Sequence, residues 1–318
     1  MASLAARNGH EVLAYVRDGA QRDAINNTQR NPRAKSLEDF DLSDLIKAVA
    51  TVEEAVAGAA IILHALPAQK TPAFILEHRA IIPEDAVFCS TAKGLYLEKR
   101  CLLSEAMLEA FGRPQPLAVL SGPSFAKQIM QGHPTVVVVA SKLLYHAVTV
   151  QRALSCKTFR VYTSQDLVGV ELGGALKNPL AIGAGLIEGG GFGINTMAAY
   201  LTRACRELQI LCVAMGGRAD TVNGLSGIGD LMLTAFGELS RNRTCGIRLS
   251  KGETLEDILA ETTVEGVPTA EVAMDFAKRC NLELPLFGAV ASTLKGNRDF
   301  QASMDIIMTR PLGTETPL

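Results

Sequence analysis

The sequence contains no tryptophan, and all aromatic residues together make up only 5% of its 318 residues. This scarcity argues against a platform of aromatic rings on which nucleic-acid bases could stack. The formal net charge of −2 gives no overall field that would attract nucleic acid or a membrane surface. No apolar run approaches the length of about 18 residues that a membrane-spanning helix needs. We therefore expect neither a nucleic-acid partner nor a membrane span.

The sequence also lacks any paired arrangement of cysteine or histidine. Its seven cysteines are scattered without a C-x-x-C pair, and its five histidines form no H-E-x-x-H motif. An odd number of scattered cysteines is typical of reduced thiols in a reducing compartment. Neither residue type has the spacing of a zinc site, so we expect no metal ion.

Familiar phosphate-binding and nucleophile motifs are absent too. The P-loop pattern G-x-x-x-x-G-K-[ST] does not occur in the chain. The glycine-rich stretch EGGGFGIN, residues 188–195, follows no predicted strand, so it is not a dinucleotide fingerprint. The histidines are too dispersed to support a Ser/His/Asp arrangement.

What is present is an alternation of short strands and helices through the first half of the chain. Such alternation predicts a doubly wound parallel sheet with helices on both faces and ligand-binding loops at the carboxyl ends of its strands. The predicted strands are His10–Val16, Ala60–Ala65, Val87–Ser90, Leu117–Leu120, Thr135–Ala140 and Phe159–Tyr162. The predicted helices are Glu53–Ala57, Thr71–His78, Lys99–Phe111, Phe125–Gln131 and Leu144–Leu154.

The pattern changes after about Thr163, where the segments become longer and rich in alanine, leucine, methionine and glycine. Three of these segments, Thr196–Met215, Thr254–Glu261 and Thr269–Lys278, are predicted helices. We therefore expect an α/β Rossmann-like domain over residues 1–164 and an all-helical substrate domain over residues 165–318.

One predicted helix, Asp166–Ile187, carries a single lysine in a row of small residues. Taken at every fourth position, the row is Gly169, Gly173, Lys177, Ala181 and Gly185. Glycine in a helix interior costs about 1 kcal/mol relative to alanine, so a close approach must offset that cost. One interpretation places Lys177 beside a cleft that admits a substrate. The other is close helix packing, with the lysine extending to solvent.

Small and polar residues also follow predicted strands. Lys93 follows one strand in STAKGLYLE. Gly122 and Ser124 follow the next in LSGPSFAKQ, where a small loop leads into a helix N-terminus that can bind an anion. Each of these could also be an ordinary connection. In GLSGIGDLMLTA, Asp230 is either a helix N-cap or a carboxylate partner for a lysine, and base rates alone favour the cap.

Arginines at two places in the sequence could bind phosphate. ELSRNRTCGIR contains Arg241, Arg243 and Arg248, and a guanidinium binds phosphate through two hydrogen bonds, although a solvated charged face is the commoner explanation. Arg17 closes the first predicted strand, where dinucleotide-binding folds contact the adenosine ribose. Arginine there suits a 2′-phosphate and an acid suits NAD, so the pair Arg17 and Asp18 is a mixed signal.

Taken in order, several motifs resemble those of the NAD(P)-dependent sn-glycerol-3-phosphate dehydrogenases. They are ARNGHEV, TAKGL, LSGPSFA, FRVYTSQDLVGVELGGALKN, GLSGIGDLMLT, LSRNRT and VEGVPTA. The resemblance runs from residue 2 to about residue 290. It implies an enzyme that interconverts dihydroxyacetone phosphate and sn-glycerol 3-phosphate with NAD(H) or NADP(H). It also implies a homodimer in the cytoplasm, or in the plastid stroma if a transit peptide precedes the sequence.

The resemblance implies roles for the residues at matching positions. Lys177 would be the general acid/base at the C2 oxygen, and Lys93 and Asp230 would complete the catalytic group. The substrate would be bound by Lys93, Gly122, Ser124, Lys177, Asn178, Asp230, Thr234, Ser240, Arg241 and Asn242. Together with Arg17, the cofactor would be bound by Lys93, Ala126, Arg241, Thr263 and Glu265. Thr263 departs from the family, which usually has an apolar residue there.

One feature of the family is missing from the sequence. The family begins with a strand and a G-x-G-x-x-G turn, which brings the backbone and a helix N-terminus to the pyrophosphate. We therefore expect a sheet truncated at its N-terminal end, an internal methionine at Met1, weak cofactor binding and lowered stability. Two alternatives stay open: another β-hydroxyacid dehydrogenase of the same architecture, or a truncated, non-enzymatic dimer module.

Overall fold

A computed structural model describes residues 1–34, 36–297 and 300–315 of the chain. The chain forms two compact units. The first comprises Met1–Ala175 and Gly216–Asp230, and the second comprises Leu176–Met215 and Leu231–Leu318. The helices, in chain order, are α1 Ala2–Arg7, α2 Gly19–Thr28, α3 Val52–Val56, α4 Thr71–His78, α5 Leu103–Phe111, α6 Ala126–Met130, α7 Leu144–Leu154, α8 Leu167–Gly189, α9 Ile194–Ala214, α10 Ala219–Val222, α11 Asp230–Phe236, α12 Arg241–Ser250, α13 Leu255–Glu261, α14 Gly266–Arg279, α15 Pro285–Leu294 and α16 Phe300–Met308.

All strands of the described residues lie in the first unit. They are β1 Val12–Tyr15, β2 Ile46–Val49, β3 Ile61–His64, β4 Val87–Ser90, β5 Leu117–Ser121, β6 Thr135–Ala140 and β7 Phe159–Ser164. β1 and β2 form a parallel pair, and the other five follow the order β3-β4-β5-β6-β7. Every pairing is parallel except that between β5 and β6. The α/β fold class with a helical second part is confirmed.

We expected a truncated doubly wound sheet, and the strands form two hydrogen-bonded sheets. Within the described ranges β1 pairs with β2 alone and β3 pairs with β4 alone, so each has one unpaired edge. No described residue forms a strand that bridges these edges. Unpaired edges are the sites at which strands of other chains add.

The five-stranded sheet is buried on both faces. Along β5, Leu117 and Val119 belong to one apolar cluster, while Ala118 and Leu120 belong to another. Successive side chains of a strand point to opposite faces, so both faces are covered, as is usual for a parallel-dominated sheet. Polar groups that must meet a ligand are therefore left to the strand ends and the loops that follow them.

Helix α2 and strand β2 of the first unit were not predicted from the sequence. Helix α2 is mostly polar and buries only Ile25, so it has no apolar period, and it begins instead at the N-cap Asp18, whose carboxylate accepts from Gln21 N. Strand β2 is only four residues long and follows a polar stretch. Helix α2 thus lacks the apolar repeat on which the helix predictions depended, and β2 is too short for its alternation to stand out.

Helix α8 continues without interruption through Pro179. We predicted a domain boundary between residues 164 and 165, ahead of this helix. The two compact units instead divide inside α8, between Ala175 and Leu176. The reason is that the first turns of α8 pack on residues of the first unit, such as Ser226 beside Gly173.

The second unit is entirely helical in its described residues. Its apolar cluster contains Ile182, Leu186, Cys245, Ile258, Val264 and Val290. Gly185 of α8 and Gly246 of α12 lie against one another's helix backbone, and a Cβ atom at either position would collide. Close helix packing therefore explains this end of the small-residue row. None of the helices in the described ranges is long and apolar enough to cross a membrane.

His64 is a buried titratable group at the end of β3. Its ring lies 5.0 Å from the Phe88 ring and 5.8 Å from that of Phe74. Neither ring nitrogen has a hydrogen-bond partner among the described residues. Burial lowers the pKa of His64 to about 4, because the charged form cannot be solvated there.

This lowered pKa predicts a loss of stability in mild acid. The unfolded chain takes up a proton near pH 6.5 and the folded chain only near pH 4, so the stability that neutral His64 contributes is lost as pH falls from 6.5 towards 4. The loss amounts to about 3 kcal/mol. We expect His64→Leu to flatten this pH dependence in urea unfolding at pH 7 and pH 4.5. The same change at exposed His10 should not, and an unchanged slope in His64→Leu would contradict the prediction.

Candidate active site

Lys93 is the centre of a polar cluster in the first unit. It follows β4, and its Nζ donates to the carbonyl oxygen of Gly122 at 2.7 Å and to Asp230 Oδ2 at 2.7 Å. Ser124 Oγ lies 3.5 Å from the same nitrogen and donates to Gly122 O at 2.9 Å. The structure therefore brings together four of the predicted site residues, at the carboxyl ends of β4 and β5.

Asp230 is the partner of Lys93, as the family resemblance implied, and not the helix cap that base rates alone favoured. Its backbone is helical, with φ −76° and ψ −30°, so it continues a helical turn instead of starting one. The preceding residues Leu225–Gly229 form a π-helical turn, in which Gly229 N donates to Gly224 O at 3.1 Å. The carboxylate is completely buried, and a buried charge requires such a partner.

Small residues make room for this cluster. Gly122 has φ +127°, a backbone conformation that favours glycine, and a Cβ atom there would lie 3.0 Å from Val137 Cα. A Cβ atom at Gly174 of α8 would lie 2.5 Å from Ser121 Oγ and 3.7 Å from Lys93 Cγ. A close approach of the kind expected for the glycines of α8 is present at Gly174. Ser121 was not predicted, although it lies in LSGPSFAKQ, because it ends a uniformly buried strand.

Lys177 forms a second cluster, in the second unit. The residue is only 6% exposed, and its Nζ donates to Thr234 Oγ1 of α11 at 2.6 Å. The interpretation in which the lysine extends to solvent is therefore wrong. A buried ammonium held by a hydroxyl can stabilise negative charge on a neighbouring oxygen and exchange a proton with it.

The residue after Lys177 begins a chain of amide hydrogen bonds. Asn242 Nδ2 donates to Asn178 Oδ1 at 3.0 Å, and Gly266 N donates to Asn242 Oδ1 at 2.9 Å. A Cβ atom at Gly266 would lie 2.8 Å from Asn178 O, so the glycine permits this contact. Gly266 was not predicted as a site residue; its place directly after Glu265 in VEGVPTA was the available signal.

The arginines of α12 differ in whether an ion pair already holds the guanidinium. Arg243 pairs with Glu188, and Arg248 pairs with Glu253 and Glu261. Arg241, the first residue of α12, is exposed and has no ion-pair partner within the described ranges. Ser240 caps the helix by accepting from Arg243 N at 3.1 Å. Only Arg241 therefore remains for a ligand, beside a helix N-terminus that favours anions.

The remaining predicted cofactor residues lie at element ends. Arg17 is exposed directly after β1. Ala126 is the exposed first residue of α6, Thr263 is exposed, and Glu265 precedes α14. Asp18, which made the signal at Arg17 mixed, accepts from Gln21 N at 2.8 Å and from Arg33 Nη2 at 2.5 Å. Both of its carboxylate oxygens are thus occupied.

A parallel-dominated sheet with polar groups at its strand ends, joined to a helical unit that buries a lysine, defines the class of two-unit dinucleotide-dependent dehydrogenases. Comparison with known families identifies which family of this class the chain belongs to. The profile described as NAD-dependent glycerol-3-phosphate dehydrogenase N-terminus matches residues 1–147, and the corresponding C-terminus profile matches residues 166–305. The chain belongs to the NAD-dependent glycerol-3-phosphate dehydrogenase family.

Individual relatives agree with this assignment. Glycerol-3-phosphate dehydrogenase [NAD(P)+] of Stenotrophomonas maltophilia is 37% identical over 100% of this chain and 93% of its own length. The Brucella canis enzyme of the same name is 39% identical over 99% of this chain and 95% of its own. The crystal structure of the Coxiella burnetii glycerol-3-phosphate dehydrogenase superposes with a TM-score of 0.89 at 30% identity, covering 97% and 94% of the two chains.

Proposed function

We propose that the chain interconverts dihydroxyacetone phosphate and sn-glycerol 3-phosphate with NAD(H) or NADP(H). The observation that carries this proposal is Lys177, an ammonium buried on α8 and held by Thr234 Oγ1 at 2.6 Å. Membership of the glycerol-3-phosphate dehydrogenase family supports the substrate pair. The alternative of a non-enzymatic module has no support in this arrangement, since a buried lysine is costly and needs a compensating use.

The residues at the end of β1 fit a nicotinamide cofactor. When bound, the cofactor supplies or accepts a hydride at C2 of the substrate. Arg17 is exposed and has no ion-pair partner within the described ranges, while Asp18 is occupied by Gln21 N and Arg33. An available guanidinium beside an occupied carboxylate supports contact with a 2′-phosphate, as in NADP(H). The other proposed contacts are Lys93, Ala126, Arg241, Thr263 and Glu265.

Lys177 would carry the proton of the reaction. Reduction of the ketone at C2 builds negative charge on its oxygen, and the Lys177 ammonium stabilises that charge and donates a proton to it. In the reverse direction the neutral amine accepts the proton of the hydroxyl. Thr234 fixes the direction in which Nζ points, because the 2.6 Å hydrogen bond restrains an otherwise flexible side chain.

Lys93 and Asp230 would act together as a polarising pair. The Asp230 carboxylate is fully buried and holds the Lys93 ammonium at 2.7 Å. Gly122 O restrains the same nitrogen at 2.7 Å, and Ser124 contributes a hydroxyl nearby. These groups give a fixed positive charge with hydrogen-bonding neighbours, which suits a substrate with several oxygens.

Arg241 would bind the substrate phosphate, with Ser240 and Asn242 beside it. The first N–H groups of a helix have no partner within the helix, so the start of α12 adds donors to the guanidinium. Asn178 would support this region through its hydrogen bond from Asn242. An exposed arginine at a capped helix start suits a small phosphorylated substrate better than an unphosphorylated hydroxy acid.

The experiment that tests this proposal compares two substrates and two arginine variants. The wild-type chain should oxidise NADPH with dihydroxyacetone phosphate and far more slowly with dihydroxyacetone. Arg241→Ala should raise the KM for dihydroxyacetone phosphate by about 10–100-fold, the value of a charged hydrogen bond. The control Arg243→Ala removes an arginine of the same helix that is paired with Glu188 and should leave KM unchanged.

Two outcomes distinguish the alternative enzyme. If the chain reduces an unphosphorylated keto acid, and Arg241→Ala does not affect that reaction, it is another β-hydroxyacid dehydrogenase. Loss of phosphate discrimination in Arg241→Ala, with Arg243→Ala unaffected, supports the glycerol-3-phosphate reaction.

We also propose an oligomeric state and a cellular location for the chain. A homodimer is supported by the exposed apolar side chains of Ile194, Phe236 and Leu239 in the second unit, and sedimentation of the purified chain measures it. The seven cysteines are all free thiols, which supports a reducing compartment. We propose the cytoplasm, or the plastid stroma if a transit peptide precedes the sequence.

A further inference from the structure

The segment that carries Lys93 is a connection of twelve residues, 91–102, between β4 and α5; we name it the Lys93 loop. Its own backbone pairing is one isolated antiparallel bridge, in which Tyr96 N donates to Cys101 O at 3.0 Å and Cys101 N donates to Tyr96 O at 3.2 Å. Its start is held at β3, where Thr91 N and Thr91 Oγ1 donate to His64 O at 3.0 and 3.1 Å. The position of the Lys93 ammonium depends on what holds the rest of the loop.

The middle of the loop is held by the side-chain amide of Gln69. Its Nε2 donates to Leu95 O at 2.7 Å, and its Oε1 accepts from Leu97 N at 3.0 Å. The amide thus completes the pairing that a neighbouring strand would supply. Leu95 lies two residues after Lys93 and is completely buried, so the two hydrogen bonds restrain the backbone close to the lysine.

The end of the loop is held by Glu171 of α8. Glu171 Oε1 accepts from Ser104 N in the first turn of α5 at 2.9 Å. Its other oxygen, Oε2, is buried and has no hydrogen-bond partner within the described ranges. Burial raises the pKa of Glu171 to about 7.

Glu171 and Gly174 lie three residues apart on one face of α8. Gly174 faces Lys93 Cγ, and Glu171 holds the segment that leads out of the loop. The same helix therefore contacts the Lys93 stem and anchors the loop end. We propose that Gln69 and Glu171 are positioning residues that set the Lys93 ammonium for catalysis by holding the Lys93 loop; this rests on the role proposed for Lys93.

The chain offers a matched control for each residue. Gln115 uses its amide in the same way, with Nε2 donating to Pro83 O and Ala86 O at 3.0 and 2.8 Å. Glu207 is a buried carboxylate that accepts from Leu286 N and Phe287 N at the start of α15. Burial also raises the pKa of Glu207 to about 7. Neither control residue contacts the Lys93 loop in any described interaction.

The test compares kcat, KM and thermal stability for four variants. Gln69→Ala and Glu171→Leu should lower kcat for dihydroxyacetone phosphate reduction by about 10–100-fold, the usual cost of misplacing a reacting group. Gln115→Ala and Glu207→Leu should lower Tm at least as much and leave kcat unchanged. Glu171→Gln retains the acceptor for Ser104 N and should restore wild-type kcat.

Two readouts separate positioning from general destabilisation. Hydrogen exchange should be faster in the peptide covering residues 91–102 of Gln69→Ala, with no cofactor added, and unchanged in Gln115→Ala. Gln69→Glu should regain activity relative to wild type as pH falls towards about 5, because the protonated acid can again donate to Leu95 O.

The result that overturns the inference is a fall in kcat no larger in Gln69→Ala and Glu171→Leu than in the two controls, while Lys93→Ala is inactive. If Lys93→Ala itself keeps full activity, the proposed role of Lys93 is wrong, and the inference is lost with it. The Lys93→Ala measurement therefore separates failure of the proposed function from failure of the positioning inference.

Discussion

Lys177→Met is expected to reduce kcat for dihydroxyacetone phosphate by about 10³-fold, the range that general acid–base groups contribute. Methionine has nearly the length of lysine and suits a buried site, so the fold should be as stable as the wild type or slightly more so. Lys177 is only 6% exposed and donates a 2.6 Å hydrogen bond to Thr234. We therefore expect that no other group can take the place of its ammonium.

Three measurements complete this test. NADPH fluorescence titration should give the same Kd in Lys177→Met as in the wild type, since the change removes a proton carrier and no proposed cofactor contact. Exposed Lys251→Met is the matched control and should keep full activity. Thr234→Val removes the hydroxyl that holds Nζ and should lower kcat by less than Lys177→Met does. Turnover of Lys177→Met within tenfold of wild type would remove Lys177 from the mechanism.

Lys93→Met is expected to lose both activity and stability, with the unfolding free energy falling by about 3–5 kcal/mol. The reason is that Asp230 is completely buried and loses its cation at 2.7 Å, and breaking a buried pair from one side is strongly destabilising. Asp230→Asn should destabilise less, because the Lys93 side chain is 22% exposed and keeps some contact with water. Urea unfolding with a common m value measures both.

The double variant Lys93→Met/Asp230→Asn provides the control. Removing the buried charge as well should recover part of the stability lost in Lys93→Met, a coupling that a double-mutant cycle measures directly. Activity should not recover, because both members of the pair are gone. Equal destabilisation by the two single changes, or additive losses in the double variant, would contradict the asymmetry of burial.

Much of the first unit follows from local pattern. Uniform apolar runs such as Val87–Ser90 and Thr135–Ala140 were predicted to the residue, because strands buried on both faces must be apolar throughout. Helix α2 was missed because it is held by the Asp18 cap and buries a single isoleucine. The separation of β1 and β2 from the other strands depends on which edges meet, which no local pattern records.

The candidate site, too, was predicted only in part from local sequence. Sequence reasoning identified Lys93, Gly122, Ser124 and Asp230 separately, and the structure brings them together within one unit. Local sequence alone left the role of Asp230 open, because a cap and an ion-pair partner look alike there. The resemblance placed Asp230 beside Lys93, and the π-helical turn before it agrees with that role. Gln69 and Glu171 were missed because their hydrogen-bond partners, Leu95 and Ser104, lie far away in the sequence.

The sequence by itself determined the residue types of the chemistry: a lysine among glycines, a strand followed by Lys93, and an arginine at a helix start. These signals are local, since strand and helix periodicity and glycine cost act over a few residues. Only the tertiary structure decided which charges are paired, which are buried and which remain available to a ligand. Those properties depend on atoms from distant segments, since Asp230 lies 137 residues from Lys93 and its burial exists only once the chain has folded.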